Sequence, residues 1–348
     1  MFKVIPTNYY QNSDEFKKCY RNYGTNKVEY IRINCTRVSL KQYEDEIVNL
    51  RKDFRNINGY DIKILLDLPL PKTKPRLEFK LPIQESRIAK SNGEDHDYYL
   101  VKKDEIVKIH CDSKISELEF KVSEQYFIEC TKVGEIVTVG ENSLKLLVIN
   151  KTDNFLELNA LDNGYIPYKK YVYSESCNCV TNHDIDGYKE LISSVNPEMI
   201  ALSFIENGEE VLNFKKSFGI NEQIKIMSKI ESEKAFSNLN SIINNSDMIM
   251  IARGDLFFNV DILNFPFYID SLIQQINGKI PFYVATGVLE DIREINLSPS
   301  RSSLIDLYYF LKMDAEGVIL TFDSSLDISV FNECNRIIKN MRILRWKY

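Results

Sequence analysis

Several signals that would announce a function are missing from this chain of 348 residues. It has no large basic block and a formal charge of −6, so nucleic acid is not expected as its main partner. No apolar run approaches the roughly 20 residues of a membrane-spanning helix, and no membrane association is expected. The first residues, MFKVIPTNYYQNSDEF, lack the apolar core of a secretory signal, which makes the cytoplasm the expected compartment. The three histidines, His96, His110 and His183, form no motif. The seven cysteines are odd in number and scattered, which reads as reduced thiols rather than a disulfide framework. Cys177 and Cys179 lack a second pair or a nearby ligand cluster, so their spacing gives weak support for a metal. No internal repeat or low-complexity segment is present.

What is there is a globular balance, 44% hydrophobic and 27% charged, long enough for two domains or for one large barrel with an insertion. Short apolar runs alternate with amphipathic stretches. Candidate strands are 2–6, 28–35, 62–69, 199–205, 224–231, 247–252, 280–286 and 317–322. The clearest helix is 39–59, with Ser39 to cap it, apolar residues at Leu40, Tyr43, Ile47, Leu50 and Phe54, and Gly59 to end it. One helix is also expected over 234–245, and another over 260–278 with an internal proline. The third strand is expected to stop at Pro69. Residues 75 to about 166 carry only short alternating segments with turn signals. These patterns predict an α/β fold, a (β/α)8 TIM barrel with a small all-β domain inserted after strand 3. The barrel would comprise 1–74 and 167–348, and the inserted domain 75–166.

In such a barrel the site lies at the C-terminal strand ends. Those ends carry Arg32, Asn34 and Thr36, then Asp67, then Lys229 and Glu231, then Arg253 and Asp255, then Thr286. Any one of them alone is ordinary solvated polar surface, but five strands converging is not. Glu231 and Asp255 are hard oxygen donors, and one or two carboxylates plus substrate oxygens is the usual way to hold Mg²⁺. Lys229 and Glu231 alternate and so point to the same side of their strand. A cation beside a metal suits charge developing on a phosphoryl group or an enolate. Arg32 suits a phosphate. If a helix starts after Asp255, its free N–H groups could hold a small carboxylate, and Gly254 would allow close approach.

The stretches RINCT (32–36), ILLDLPLPK (64–72), IALSFIENGEEVLNFK (200–215), the run 224–256 ending in ARGDL, KIPFYVATGVLE (279–290) and SPSRS (298–302) resemble the pyruvate kinase family in order, in spacing and in the site of the insertion. The resemblance implies a barrel with a lid domain. It implies that Glu231 and Asp255 are metal ligands for Mg²⁺ or Mn²⁺, and that Lys229 and Arg32 contact the phosphoryl group. Thr286 would lie near the enol face, and the turn at Ala252, Arg253, Gly254 and Asp255 would hold a carboxylate. Asn34, Thr36 and Asp67 match monovalent-cation ligands. Leu68 and Lys72 follow the pattern of members that work without K⁺, so K⁺ is not expected to be required.

There are departures. The first strand reads VIPTNYYQ, without the family's Gly-Pro, and Arg37 replaces a histidine. Lys74 replaces a phosphate-binding arginine, and Lys169 or Lys170 stands for the lid lysine but is followed by YVYSES. Phe257, Phe258 and Asn259 follow ARGDL, Gly287 and Val288 follow AT, and TFDS ends the last strand. The family's C-terminal domain is not expected here. Arg37, Lys74 and Lys170 remain candidate phosphate or nucleotide contacts.

Three readings follow. The first is Mg²⁺-dependent phosphoryl transfer between phosphoenolpyruvate and an acceptor, ADP by default but open to change. The second is a nucleotide-independent lyase, decarboxylase or aldol-type enzyme on a 2-oxo acid, using the same enolate-stabilising groups. The third is a non-catalytic binding protein. Nucleotide binding and a homodimer are both left open.

Overall fold

A computed structural model of the chain describes all residues except 1, 9–12, 37–38, 80–97, 112–118, 141–143, 168–169, 178–179, 182–183, 259, 261–262, 322–324, 326 and 345–348. The chain opens with β1 (Lys3–Ile5), β2 (Thr7–Asn8), α1 (Ser13–Thr25), β3 (Tyr30–Asn34), α2 (Leu40–Asn58) and β4 (Lys63–Thr73). The insertion supplies β5 (Arg76–Glu78), β6 (Tyr98–Val101), β7 (Ile106–His110), β8 (Glu119–Val122), α3 (Gln125–Cys130) and β9 (Ile136–Val139). It continues with β10 (Leu144–Lys151), β11 (Phe155–Ala160), β12 (Gly164–Pro167), β13 (Lys170–Tyr173) and β14 (Val180–Thr181). The alternation then resumes with α4 (Ile185–Val195), β15 (Met199–Ser203), α5 (Gly208–Ser217), β16 (Lys225–Ile230), α6 (Glu233–Ser237), α7 (Leu239–Asn245) and β17 (Met248–Ala252). Last come α8 (Arg253–Phe258), α9 (Phe265–Ile276), β18 (Phe282–Ala285), α10 (Arg301–Lys312), β19 (Gly317–Ile319) and the helix Ile328–Leu344.

The parallel strands pair in the order β1-β19-β18-β17-β16-β15-β4-β3-β2, which is the barrel. Its first strand comes in two pieces. β1 pairs with β19 and β2 pairs with β3. Pro6 is the joint, because it has no N–H to give a ladder. The Ile5 carbonyl accepts from Leu320 N–H at 2.9 Å, and the Pro6 carbonyl accepts from Arg32 N–H at 2.9 Å on the other side.

The barrel strands are buried on both faces, as their continuous apolar runs require. Ile5, Leu65, Met199, Ala201, Met227, Met250, Tyr283 and Ile319 fill the interior. The alternate residues Ile31, Ile64, Leu66, Ile200, Ile226, Ile249 and Val318 pack outward against the helices. α2 forms as its periodicity predicts. Ser39 and Gln42 make a reciprocal capping box, and Gly59 ends the helix at φ 75°, a conformation that glycine adopts without strain.

Three local expectations are corrected. β4 does not stop at Pro69 but runs on to Thr73, where β14 pairs with it antiparallel. The helix expected over 260–278 begins at Phe265, so its proline lies in the first turn, where no intrahelical N–H is lost. The segment 234–245 is two helices, α6 and α7, broken at Asn238. The Asn238 side chain donates to the carbonyls of Glu206 and Lys234 and competes with the helix for backbone partners.

The chain divides into two compact units, Met1–Pro71 with Asn182–Tyr348, and Lys72–Thr181. The second is a small closed barrel in the order β10-β11-β7-β8-β5-β13-β9, with β12 and β6 paired separately. It has its own core around Phe120, Phe127, Val137, Leu146 and Leu158. Residues 167–181 go with this unit because β13 pairs with β5 and β9, and β14 with the end of β4. Among the described residues, no helix is long and apolar enough to cross a membrane, and six cysteines are free thiols.

Candidate active site

The barrel's alternation decides which polar side chains enter it. Ile5, Leu65, Ala201, Met227 and Met250 face inward, so two residues further on Thr7, Asp67, Ser203, Lys229 and Ala252 face inward as well. Arg32 faces inward because its neighbours Ile31 and Ile33 pack outward.

These side chains form one network. Arg32 donates through Nε to Asp67 Oδ2 at 2.8 Å, and its Nη2 lies 2.7 Å from the same oxygen. Arg32 Nη1 donates to Thr7 Oγ1 at 3.1 Å, and the Thr7 hydroxyl donates to the Leu320 carbonyl at 2.7 Å. Lys229 Nζ lies 3.4 Å from Asp67 Oδ1 and 3.1 Å from Glu231 Oε1, and donates to Ser203 Oγ at 3.1 Å. Glu231 Oε2 accepts from the Phe204 N–H at 2.7 Å.

Their electrostatics differ sharply. Burial pushes the Asp67 carboxyl up, but Lys229 and Arg32 together outweigh it and hold the group below the ordinary carboxylate range. Burial likewise opposes the Lys229 charge, yet Asp67 first and Glu231 second raise its pKa above the ordinary lysine value. Glu231 is pushed up to about 7, first by burial and then by the negative charge of Asp255, against the pull of Lys229. Lys229 lies within 3.4 Å of both Asp67 and Glu231, Arg32 pairs with Asp67, and Asp255 adds negative charge at Glu231. Two cations, Arg32 and Lys229, face three carboxylates, Asp67, Glu231 and Asp255.

α8 starts directly after β17, so Gly254 and Asp255 form its first turn, and the helix begins at Arg253 rather than after Asp255. A Cβ on Gly254 would meet Thr286 Cγ2 at 3.1 Å and Oγ1 at 3.3 Å, so this turn packs directly on Thr286. The Thr286 backbone is left-handed at φ 68°, a costly conformation for a β-branched residue. The Arg253 side chain turns away from the interior. It donates to the Thr286 carbonyl at 2.9 and 2.6 Å and to both Asp306 oxygens at 2.7 Å, and lies 4.9 Å from the Phe310 ring centre. Its guanidinium is a strut between the two strand-end turns and α10.

The other candidates are placed as follows. Thr36 Oγ1 donates to Asn34 Oδ1 at 2.9 Å. Lys72 lies where β4 pairs with β14. Lys74 is buried, with its ammonium 4.6 and 4.7 Å from the ring centres of Tyr171 and Tyr173. Lys170 lies over the Tyr171 ring and against Gly140. Arg37, Lys169, Asn259 and most of TFDS lie outside the described residues. Thr7, Ser203 and Phe204 were not among the candidates. Strand parity could have found the first two, because each falls two residues after an inward apolar residue. Nothing in the sequence marks the left-handed Phe204, at φ 52°.

A family model described as the pyruvate kinase barrel domain matches residues 11–325. The chain belongs to the pyruvate kinase family. Pyruvate kinase from Thermotoga maritima is 26% identical over 308 residues, covering 86% of this chain and 62% of that protein. Pyruvate kinase from Agaricus bisporus is 25% identical over 311 residues, covering 86% of this chain and 55% of its own length. The chain therefore spans less than two thirds of these pyruvate kinases. The crystal structure of Cryptosporidium parvum pyruvate kinase matches with a TM-score of 0.83 at 21% identity, over 98% of this chain and 70% of that one. That likeness establishes the fold.

Proposed function

We propose that the barrel site binds phosphoenolpyruvate, pyruvate or a similar 2-oxo acid with Mg²⁺ or Mn²⁺, and transfers a phosphoryl group between it and an acceptor. The observation that supports this is the buried Glu231 beside Asp255: burial and the Asp255 charge push its carboxyl up to about 7 even with Lys229 at 3.1 Å. A hard divalent ion would offset the charge of two neighbouring carboxylates. Among the described residues no group of three or more His, Cys, Asp or Glu could hold a metal, so the protein would offer two carboxylates and leave the remaining positions to substrate and water. Bound there, the ion would add positive charge where the acid's oxygens gather.

The chain's own residues divide the rest of the work. Lys229 presents a buried ammonium to charge developing on the phosphoryl or enolate oxygen. Arg32, held by Asp67 and Thr7, presents its outer N–H groups to the phosphate. The turn from Ala252 to Asp255 holds the carboxylate, and Thr286, packed on Gly254, lies at the enol face. K⁺ is dispensable in this reading, because Asn34 and Thr36 bond to each other and both Asp67 oxygens face cations. ADP is the default acceptor, used weakly. Lys74, at the family's arginine position, is enclosed by two tyrosine rings and lacks a guanidinium's bidentate grip.

The test pairs a coupled pyruvate-formation assay, with phosphoenolpyruvate, Mg²⁺ and ADP, with calorimetric binding of oxalate. Metal-dependent oxalate binding that Asp255→Ala abolishes is expected. No oxalate binding in the presence of metal would refute the site.

A further inference from the structure

The Ser203–Phe204 turn at the end of β15 has no role in the chemistry above, yet it bonds both Lys229 and Glu231 at the end of the neighbouring strand. Ser203 is buried. Its hydroxyl donates to the Leu68 carbonyl at 2.8 Å and accepts from Lys229 Nζ at 3.1 Å. That orientation is forced. A carbonyl only accepts, an ammonium only donates, and a hydroxyl has one proton, so the proton points at Leu68 and a lone pair at Lys229. The strand register puts the hydroxyl there: Leu202 lies opposite Leu68, and the ladder then shifts so that Ser203 lies opposite Pro71. The next residue, Phe204, is left-handed at φ 52° and aims its N–H at Glu231 Oε2. A bulky residue holds such a backbone only when its surroundings enforce it.

We propose that Ser203 is a positioning residue for Lys229, supplying the fixed neutral acceptor that sets where the lysine's reactive N–H points. The proposal rests on the phosphoryl-transfer reading for its chemistry. An ammonium has three protons, and three acceptors surround this one: Asp67, Glu231 and Ser203. When Glu231 is engaged elsewhere, Asp67 and Ser203 remain as two anchors, and two anchors leave the third N–H one direction. With Asp67 alone, the ammonium swivels about a single contact. Ser203 therefore acts through Lys229 on orientation and not on substrate affinity.

The test uses the full chain with Ser203→Ala, Ser203→Thr, which keeps the hydroxyl, and Ser203→Cys, a poor acceptor of similar size in case the alanine variant does not fold. The first readout is turnover of phosphoenolpyruvate with Mg²⁺ and ADP, together with metal-dependent exchange of pyruvate methyl protons in D₂O. Ser203→Ala or Ser203→Cys should lower kcat by about ten- to a hundredfold, the size expected for losing a hydrogen bond to a charged group. The KM should move by no more than about twofold, and Ser203→Thr should restore kcat. The second readout needs no activity. The buried Lys229 ammonium should give a slowly exchanging ¹H–¹⁵N signal, identified by its loss in Lys229→Met. That signal should vanish into fast exchange in Ser203→Ala or Ser203→Cys and persist in Ser203→Thr. An unchanged ammonium signal in a folded Ser203→Ala or Ser203→Cys protein overturns the proposal, as does unchanged kcat. A wild-type protein with neither turnover nor exchange overturns the functional reading instead, and the ammonium signal still decides the role of Ser203.

Discussion

Metal binding should be linked to a proton, and the link follows from Glu231. Its carboxyl is pushed up to about 7 by burial and by Asp255. An ion held by Glu231 and Asp255 must displace that proton whenever the pH is below this value. At one unit below, about a tenth of the sites are ionised, and at one unit above, about nine tenths are. Observed Mg²⁺ or Mn²⁺ affinity should therefore rise about tenfold from pH 6 to pH 8 and then level off. Near pH 7 about half a proton should leave per ion bound, which calorimetry in buffers of different ionisation enthalpy would measure. Glu231→Gln should abolish the proton release. Affinity that is flat between pH 6 and 8, with no proton release, would refute the assignment of Glu231 as a ligand.

The same group makes stability depend on pH, and the sign is fixed. Its pKa is higher in the folded chain than the ordinary value of 4.5, so folding favours the protonated form. The stabilisation is fully present below about pH 4.5 and is lost as the pH rises through about 7. Without metal, the melting temperature should fall across that window. With metal at 100 times its Kd, about 2.7 kcal/mol should be recovered above pH 7.

Other perturbations separate architecture from chemistry. Asp67→Asn leaves Arg32 and Lys229 facing each other without their shared counter-ion, and chemical denaturation should report a loss of about 3–5 kcal/mol. Arg253→Ala removes the strut to Asp306 and the Thr286 carbonyl, and should cost about 1.5–3 kcal/mol of stability by the same measurement. Gly254→Ala puts a methyl group against Thr286 at 3.1 Å, and calorimetry should show weakened oxalate binding with little change in melting temperature. Replacing K⁺ by a large inert cation should leave phosphoenolpyruvate turnover unchanged, and a severalfold rise with K⁺ would contradict the mutual bonding of Asn34 and Thr36.

Much of this was legible in the sequence, for identifiable reasons. The barrel strands are continuous apolar runs, and α2 carries its cap, its stripe and its terminal glycine, so local preference and tertiary demand agree there. Local reading failed where a single residue does two things. Pro6 divides the first strand between two neighbours, Pro69 lies within β4 instead of ending it, and Asn238 breaks a helix with its own side chain. Among the candidate site residues, type singled out Lys229, Glu231 and Asp255, while strand parity decides which side chains enter the barrel. Arg253 follows the inward-facing Ala252, and alternation alone would have sent its side chain outward. Thr7 and Ser203 lie on the inward face, where a hydroxyl, being uncharged, gives no signal in the sequence.

What no pattern in the sequence could supply is the contrast between Asp67 and Glu231. Both are buried carboxyls, Asp67 within β4 and Glu231 just past β16, and both touch Lys229. Asp67 has Arg32 as well, and is held ionised. Glu231 has Asp255 beside it instead, and its carboxyl is pushed up to about 7. The difference depends on which side chain comes from the neighbouring strand, and so on barrel order. Arg32 on β3 stands next to Asp67 on β4, while Asp255 stands just beyond β17, next to β16. The barrel thus sets both cations against Asp67 and sets a second carboxylate, Asp255, beside Glu231.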